Sequence, residues 1–160
     1  MRIEISIRHQ TLTLFDNFGG VKAKYSVSTA ANGVGCEKDS GCTPLGNHII
    51  RAKIGAGAEP NMVFVGRRSK GEICTPELIA TYPNRDWILT RILWLSGKEI
   101  GKNRRGNVDT MQRYIYIHGT PDSTDMNKVG SHGCIRMRNS DVIALFDMVE
   151  VGTPVIISEL

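Results

Sequence analysis

Long apolar runs are missing from this chain of 160 residues. The longest, Val142 to Phe146, falls far short of the roughly 20 residues that a membrane-crossing helix needs. No membrane-spanning helix, and no membrane partner, is expected. The apolar core of a secretory leader, about 7–15 residues long, is missing too. Met1 and Arg2 run straight into Ile3-Glu4-Ile5-Ser6-Ile7, whose alternation reads as a strand with one buried face. Cysteines are few: Cys36, Cys42, Cys74 and Cys134. A chain of this size builds a core without disulfide staples, so reduced thiols and a cytoplasmic location are the expectation, or a periplasmic one if an export segment has been trimmed. The charge excess is only +4, which favours anionic partners but is too small to imply nucleic acid. There is no repeat, no low-complexity tract and no internal linker, and neither H-E-x-x-H nor C-x-x-C occurs.

What is present is one domain over residues 1–160, mainly β. The apolar fraction of 41% and charged fraction of 22% are those of an ordinary globular protein. Ile3, Ile5 and Ile7 share one strand face, as do Leu12 and Leu14. Asp16 to Gly20 is a turn cluster, and Val21, Ala23, Tyr25 and Val27 alternate along the returning hairpin strand. Further strands are expected over His48–Ile54, Asn61–Gly66, Ile88–Leu95, Tyr114–Ile117 (ending on His118) and Val155–Ile157. Thr75-Pro76-Glu77 reads as an N-cap, then proline at the first helical position, starting a short helix through Ala80. The clearest helix is expected over residues 141–150, with Ser140 as N-cap and Gly152 as the stop. Its Val142, Leu145, Phe146 and Val149 follow i, i+3, i+4, i+7 spacing.

The chemistry concentrates between His118 and Met137. A cysteine at its ordinary pKa of about 8.5 is mostly thiol at neutral pH and needs a base or a cation beside it to act as a nucleophile. Cys134 is the candidate nucleophile and His118 the candidate base. Gly119 and Thr120 leave room for the other ring nitrogen of His118 to meet a backbone carbonyl, so that the base is oriented by a third group. Gly133 removes a side chain where a substrate carbonyl must approach, and the Gly133 and Cys134 amides could face an oxyanion. Arg136 could hold a substrate carboxylate through a bidentate pair. Spacing alone leaves two other readings open. One is a buried thiol beside ordinary histidines. The other is a zinc set of His118, His132 and Cys134 with Cys36, Cys42 or Cys74, although these lack finger spacing. His9 and His48 have no partner pattern and read as surface or strand positions. The basic Lys98–Arg105 loop reads as solvated.

Ile117-His118-Gly119-Thr120, followed after a loop by Ser131-His132-Gly133-Cys134-Ile135-Arg136-Met137, resembles the hallmark of the L,D-transpeptidase catalytic domain family (YkuD type). Gln10-Thr11-Leu12-Thr13-Leu14-Phe15 resembles its opening hairpin. Val27-Ser28-Thr29, Thr43-Pro44-Leu45-Gly46 and Pro154-Val155-Ile156-Ile157 also fit. The Cys36–Cys42 segment enlarges the first loop, and residues 67–113 follow the family only loosely. The resemblance implies a mixed β-sheet fold and no cofactor or metal. Cys134, His118 and Gly119 would form the catalytic set, Ser131, His132 and Gly133 would shape the oxyanion site, and Arg136 would bind substrate. The implied partner is a peptidoglycan stem tetrapeptide or muropeptide, cleaved between its third residue (meso-diaminopimelate) and terminal D-alanine through a thioester open to carbapenems. Without an export segment, an L,D-carboxypeptidase of cell-wall recycling, with water as acceptor, is expected ahead of a cross-linking or D-amino-acid-exchanging transpeptidase. A non-catalytic wall-peptide-binding module is the alternative of another class, and an intact His118–Cys134 pair argues against it.

Overall fold

The computed structural model describes residues 1–160. Alternating apolar residues set the first three strands, β1 (Arg2–Ser6), β2 (Thr11–Phe15) and β3 (Val21–Ser28). Antiparallel pairing places Ile3 opposite Leu14 and Ile5 opposite Leu12. The last strand, β10 (Pro154–Ser158), adds in parallel on the other side of β1, with Val155 beside Ile3 and Ile157 beside Ile5. All six side chains lie in one core of 18 buried residues, where each fully buried Leu, Ile or Val stabilises by about 1.5–3 kcal/mol. The hairpin between β2 and β3 turns on Asp16, whose Oδ1 accepts from the Phe18 and Gly20 amides.

The remaining strands are β4 (Gly46–Ile54), β5 (Met62–Val65), β6 (Arg68–Ile73), β7 (Leu89–Gly97), β8 (Tyr116–Thr120) and β9 (Ile135–Arg138). The sheet order is β4-β10-β1-β2-β3-β9-β8-β7, and β4 also pairs with β7, so eight strands close on themselves. Closure leaves only the β5–β6 hairpin hanging from β7 as an open edge. Strand β6 is nearly all exposed and polar, which is why alternation did not reveal it. His118 sits in the middle of β8 rather than at a strand end.

Helix α1 (Pro76–Thr81) starts as its sequence implies, with Thr75 Oγ1 accepting from the Leu78 amide at 3.1 Å. The principal helix, α2 (Asn139–Met148), is displaced from the expected 141–150. Strand β9 runs directly into it, so Arg138 rather than Ser140 is the N-cap and makes no side-chain cap bond. Asn139 is drawn inward instead, donating to Asn61 Oδ1 and lying 2.6 Å from Thr90 Oγ1. At the other end the helix stops before Gly152, because Lys53 Nζ donates to the Phe146 and Val149 carbonyls at 2.6 and 2.7 Å. A lysine there also meets the negative end of the helix dipole.

Eight non-glycine residues take left-handed backbone, and two of them, Thr90 and Arg67, bear on the site. Thr90 (φ +75) sits in the bulge where β7 passes β8 between Leu89 and Ile92, beside Gly119. Arg67 (φ +64) follows Gly66 (φ +56) in the two-residue turn of the β5–β6 hairpin. Both positions of such a turn require positive φ, a role glycine and asparagine fill cheaply. An arginine there costs about 1–2 kcal/mol.

His48, read as a surface or strand position, is on β4 but only 1% exposed. Its Nδ1 lies 3.0 Å from the Gly46 carbonyl and its Nε2 3.0 Å from Thr110 Oγ1. Burial pushes its pKa down from 6.5 to about 4. Below 6.5 the unfolded chain therefore binds a proton that the folded chain refuses, and stability falls as the pH drops from 6.5 towards about 4. Urea midpoints measured across that range should decline for the parent protein, and His48→Gln should flatten the decline.

Candidate active site

Parallel pairing of β8 with β9 places Ile117 beside Ile135 and His118 beside Arg136. Since side chains alternate along a strand, Tyr116, His118 and Arg136 face the same side of the sheet as Cys134, which directly precedes β9. His118 is completely buried. Its Nδ1 lies 2.6 Å from the Gly119 carbonyl, which can only accept, so Nδ1 carries the proton and Nε2 is a bare lone pair. That Nε2 is buried with no hydrogen-bond partner. Burial lowers the His118 pKa below its ordinary range, against the raising effects of the Gly119 carbonyl and the Asp86 carboxylate. At neutral pH the ring is an unprotonated base.

Gly119 supplies that orienting carbonyl, and no other residue fits there. A Cβ would meet the Asn139 amide oxygen and would lie 2.6 Å from the Leu89 carbonyl. Thr90 and the inward Asn139 thus close the space beside Gly119, on the face of β8 opposite the His118 ring.

The thiol of Cys134 is held by backbone. It accepts from the Tyr116 amide at 3.3 Å and donates to the Tyr114 carbonyl at 3.4 Å. No hydrogen bond joins it to His118. Burial raises its pKa from 9.0 to about 12, opposed by the Tyr116 amide, Arg136 and Arg113. The resting pair is therefore neutral thiol and neutral imidazole.

The loop before the thiol is fixed at several points. Ser131 Oγ donates to the Cys134 carbonyl at 2.5 Å and accepts from the Gly133 amide at 3.2 Å. Thr43 Oγ1 donates to the Gly133 carbonyl at 2.9 Å. Gly133 (φ +132) leaves little room for a Cβ, which would sit 3.1 Å from Ile115 Cδ1 and 3.2 Å from the Cys42 carbonyl. The Gly133 amide, expected to face an oxyanion, is thus committed to Ser131.

Cys134 and the exposed His132 line a cavity of about 470 Å³ with Phe64, Arg67, Asp86, Arg113 and Tyr114 among its walls. His118 lies behind that wall. A second lobe of about 380 Å³, lined by Lys38 and Asp39, shares Arg113, Tyr114, Ile115 and His132 with the first. Arg136 does not face the cavity as a free cation. Its guanidinium donates to the Gly130 carbonyl at 3.1 Å and to Asp86 Oδ1 at 3.2 Å, so a substrate carboxylate would have to displace Asp86. His132 Nδ1 lies 3.8 Å from the other Asp86 oxygen. Arg113 is spent on the first loop, donating to the Gly35 and Cys42 carbonyls and to Ser40 Oγ. Asp86, Arg67 and Arg113 carry no motif, and sequence reading did not pick them out. Cys36, Cys42, Cys74 and Cys134 are all unpaired, and no three His, Cys, Asp or Glu side chains converge to hold a metal ion.

The family model of the L,D-transpeptidase catalytic domain (YkuD) matches residues 1–157. The chain belongs to this family. YqjB of Bacillus subtilis (strain 168) is 40% identical over 65 residues, which cover 41% of this chain and 35% of that protein. YkuD of the same organism is 50% identical over 47 residues, 29% of each chain. The matched segments thus span about a third of these curated relatives. Among solved structures, L,D-transpeptidase 3 from Mycobacterium tuberculosis in complex with a faropenem-derived adduct superposes with a TM-score of 0.60 at 16% identity. It covers 98% of this chain and 59% of that one. An L,D-transpeptidase from Mycobacterium smegmatis gives 0.54 at 21% identity, over 98% and 57%. The mainly β, closed-sheet architecture is that of the L,D-transpeptidase fold.

Two outcomes follow from this geometry. With His118 as the base, His118→Ala should slow thioester formation by roughly 10²–10⁴-fold, and the acid limb of the parent's acylation rate should lie below pH 6.5, the ordinary histidine value. Stopped-flow acylation across pH checks both. Gly119→Ala should cost about 1–3 kcal/mol through overpacking against Asn139 and the Leu89 carbonyl, read as a lowered denaturation midpoint.

Proposed function

We propose that this L,D-transpeptidase-family chain is a cysteine acyl-transfer enzyme acting on peptidoglycan stem peptides. It cleaves the L,D bond between the third residue, meso-diaminopimelate, and terminal D-alanine. The observation that carries this reading is the pairing of a bare, buried His118 Nε2 with a cavity-lining Cys134 on one face of adjacent strands. His118 Nε2 takes the thiol proton, Sγ attacks the carbonyl carbon, and the proton passes to the departing D-alanine amine. The Cys134 amide makes no hydrogen bond within the chain and is free to donate to the developing oxyanion, the role in which backbone amides are most effective. The intact pair speaks against a purely wall-peptide-binding module.

Water is the proposed acceptor, making the enzyme an L,D-carboxypeptidase of cell-wall recycling in the cytoplasm. Three cysteines remain once Cys134 is reserved, and an odd set suits a reducing compartment. A second reading, amine transfer by an L,D-transpeptidase, is favoured by one feature. The second lobe beyond Arg113 and His132 gives an acceptor peptide room to approach the thioester.

Incubating purified protein with a stem tetrapeptide, with and without an acceptor amine, separates the two by mass spectrometry. Tripeptide and free D-alanine as the main products support hydrolysis, whereas cross-linked dimers would transfer the assignment to transpeptidation. Cys134→Ala should abolish both products, and turnover near the parent rate would refute Cys134 as the nucleophile. A faropenem or carbapenem adduct on Cys134, read by intact mass, is the expected parallel result.

A further inference from the structure

We infer that Arg67 is a specificity-determining residue that holds a free carboxylate of the peptide bound in the cleft. The inference rests on the peptide acyl-transfer reading above. Of the two arginines that line the first lobe, Arg67 keeps the more donors free: it makes one hydrogen bond, where Arg113 makes three. Its guanidinium lies 4.6 Å from the centre of the Trp94 ring and 4.9 Å from that of Tyr114, and Nη1 donates to Tyr116 Oη at 3.0 Å. No carboxylate lies within 4.0 Å of it, although Asp86 lines the same cavity, because Asp86 is engaged by Arg136.

Three physical points converge on anion binding. A guanidinium carries five N–H donors in a planar fork that matches a carboxylate, and Arg67 spends one of them on Tyr116. Stacking on two aromatic faces fixes the plane of that fork in advance, so little freedom is lost when an anion docks. The anchor is also shared with the nucleophile. Tyr116 offers its hydroxyl to Arg67 and its backbone amide to the Cys134 thiol, so cation and thiol are held in a common frame. The backbone carries a matching sign, since Arg67 occupies a left-handed turn position where glycine or asparagine would be unstrained.

Two carboxylates of a stem tetrapeptide flank the scissile L,D bond, one at its C-terminus and one on the side chain of its third residue, and the proposal is for one of these two. Binding to Cys134→Ala protein, measured by calorimetry, separates them and removes turnover from the readout. The ligands are the free acid, its C-terminal carboxamide, and the analogue amidated on the third side chain. With Arg67 intact, one amide should bind about 10- to 100-fold more weakly than the acid, and it identifies the carboxylate. Arg67→Gln should weaken the acid by a similar factor and leave that amide nearly unchanged. Arg67→Lys, which keeps the charge but loses the fork, should fall between. Equal weakening of all three ligands, no weakening, or no binding to the Arg67-intact protein would each overturn the proposal. Thermal melts of the variants confirm that the compared proteins are folded. Absence of peptide turnover by the parent protein would count against the acyl-transfer reading and not against this one, which is read from binding.

Discussion

The parallel contact between β8 and β9 is the constraint on which the site depends. Two short motifs become one centre only because His118 is in register with Arg136, which sets Cys134 on the same face one pleat away. A slip of a single residue would turn one of the pair to the opposite face. The pairing is secured from both sides: β9 against β3, and β8 against β7. Closure through β4 and β7 then locks the ring. The catalytic register is thus carried by a closed sheet and its buried core rather than by the loop that presents the thiol.

Around that register the polar groups follow one logic, in which each is held by backbone or by a neighbour with little freedom. The Gly119 carbonyl sets the tautomer of His118. The Tyr114 and Tyr116 backbones hold the resting thiol, and Ser131 and Thr43 clamp the turn before it. Low dielectric keeps thiol and imidazole neutral at rest, so the protein does not store a buried ion pair, which is costly to desolvate. Left-handed backbone is found instead at Thr90 beneath Gly119, at Tyr114, whose carbonyl takes the thiol, and at Arg67 on the cavity wall. Asp86 divides the cations of the cleft into two kinds. It neutralises Arg136 and leaves Arg67 available.

Much of the fold was legible because it is written in local periodicity. The alternation of Ile3, Ile5, Leu12 and Leu14 and the Thr75-Pro76 helix start need no partner from far along the chain to be recognised. The errors have equally local causes. Strand β6 carries no apolar alternation, and α2 starts early because Asn139 has a buried task that the capping rule does not see. His48 lacked any pattern because its partner, Thr110, lies 62 residues away.

For the site, the sequence by itself marked the candidate chemistry. I-H-G-T and S-H-G-C-I-R-M mark the candidate base, the carbonyl that orients it and the candidate nucleophile, since each role requires a particular residue type at a fixed local offset. The tertiary structure alone decided which charges meet that chemistry. Arg136 is partnered with Asp86 across 50 residues of chain, Arg113 is drawn to the first loop, and Arg67 is lifted onto Trp94 and Tyr114 by a hairpin turn. Pairing between distant charges depends on register, twist and burial, and none of these leaves a mark on the residues adjacent in sequence.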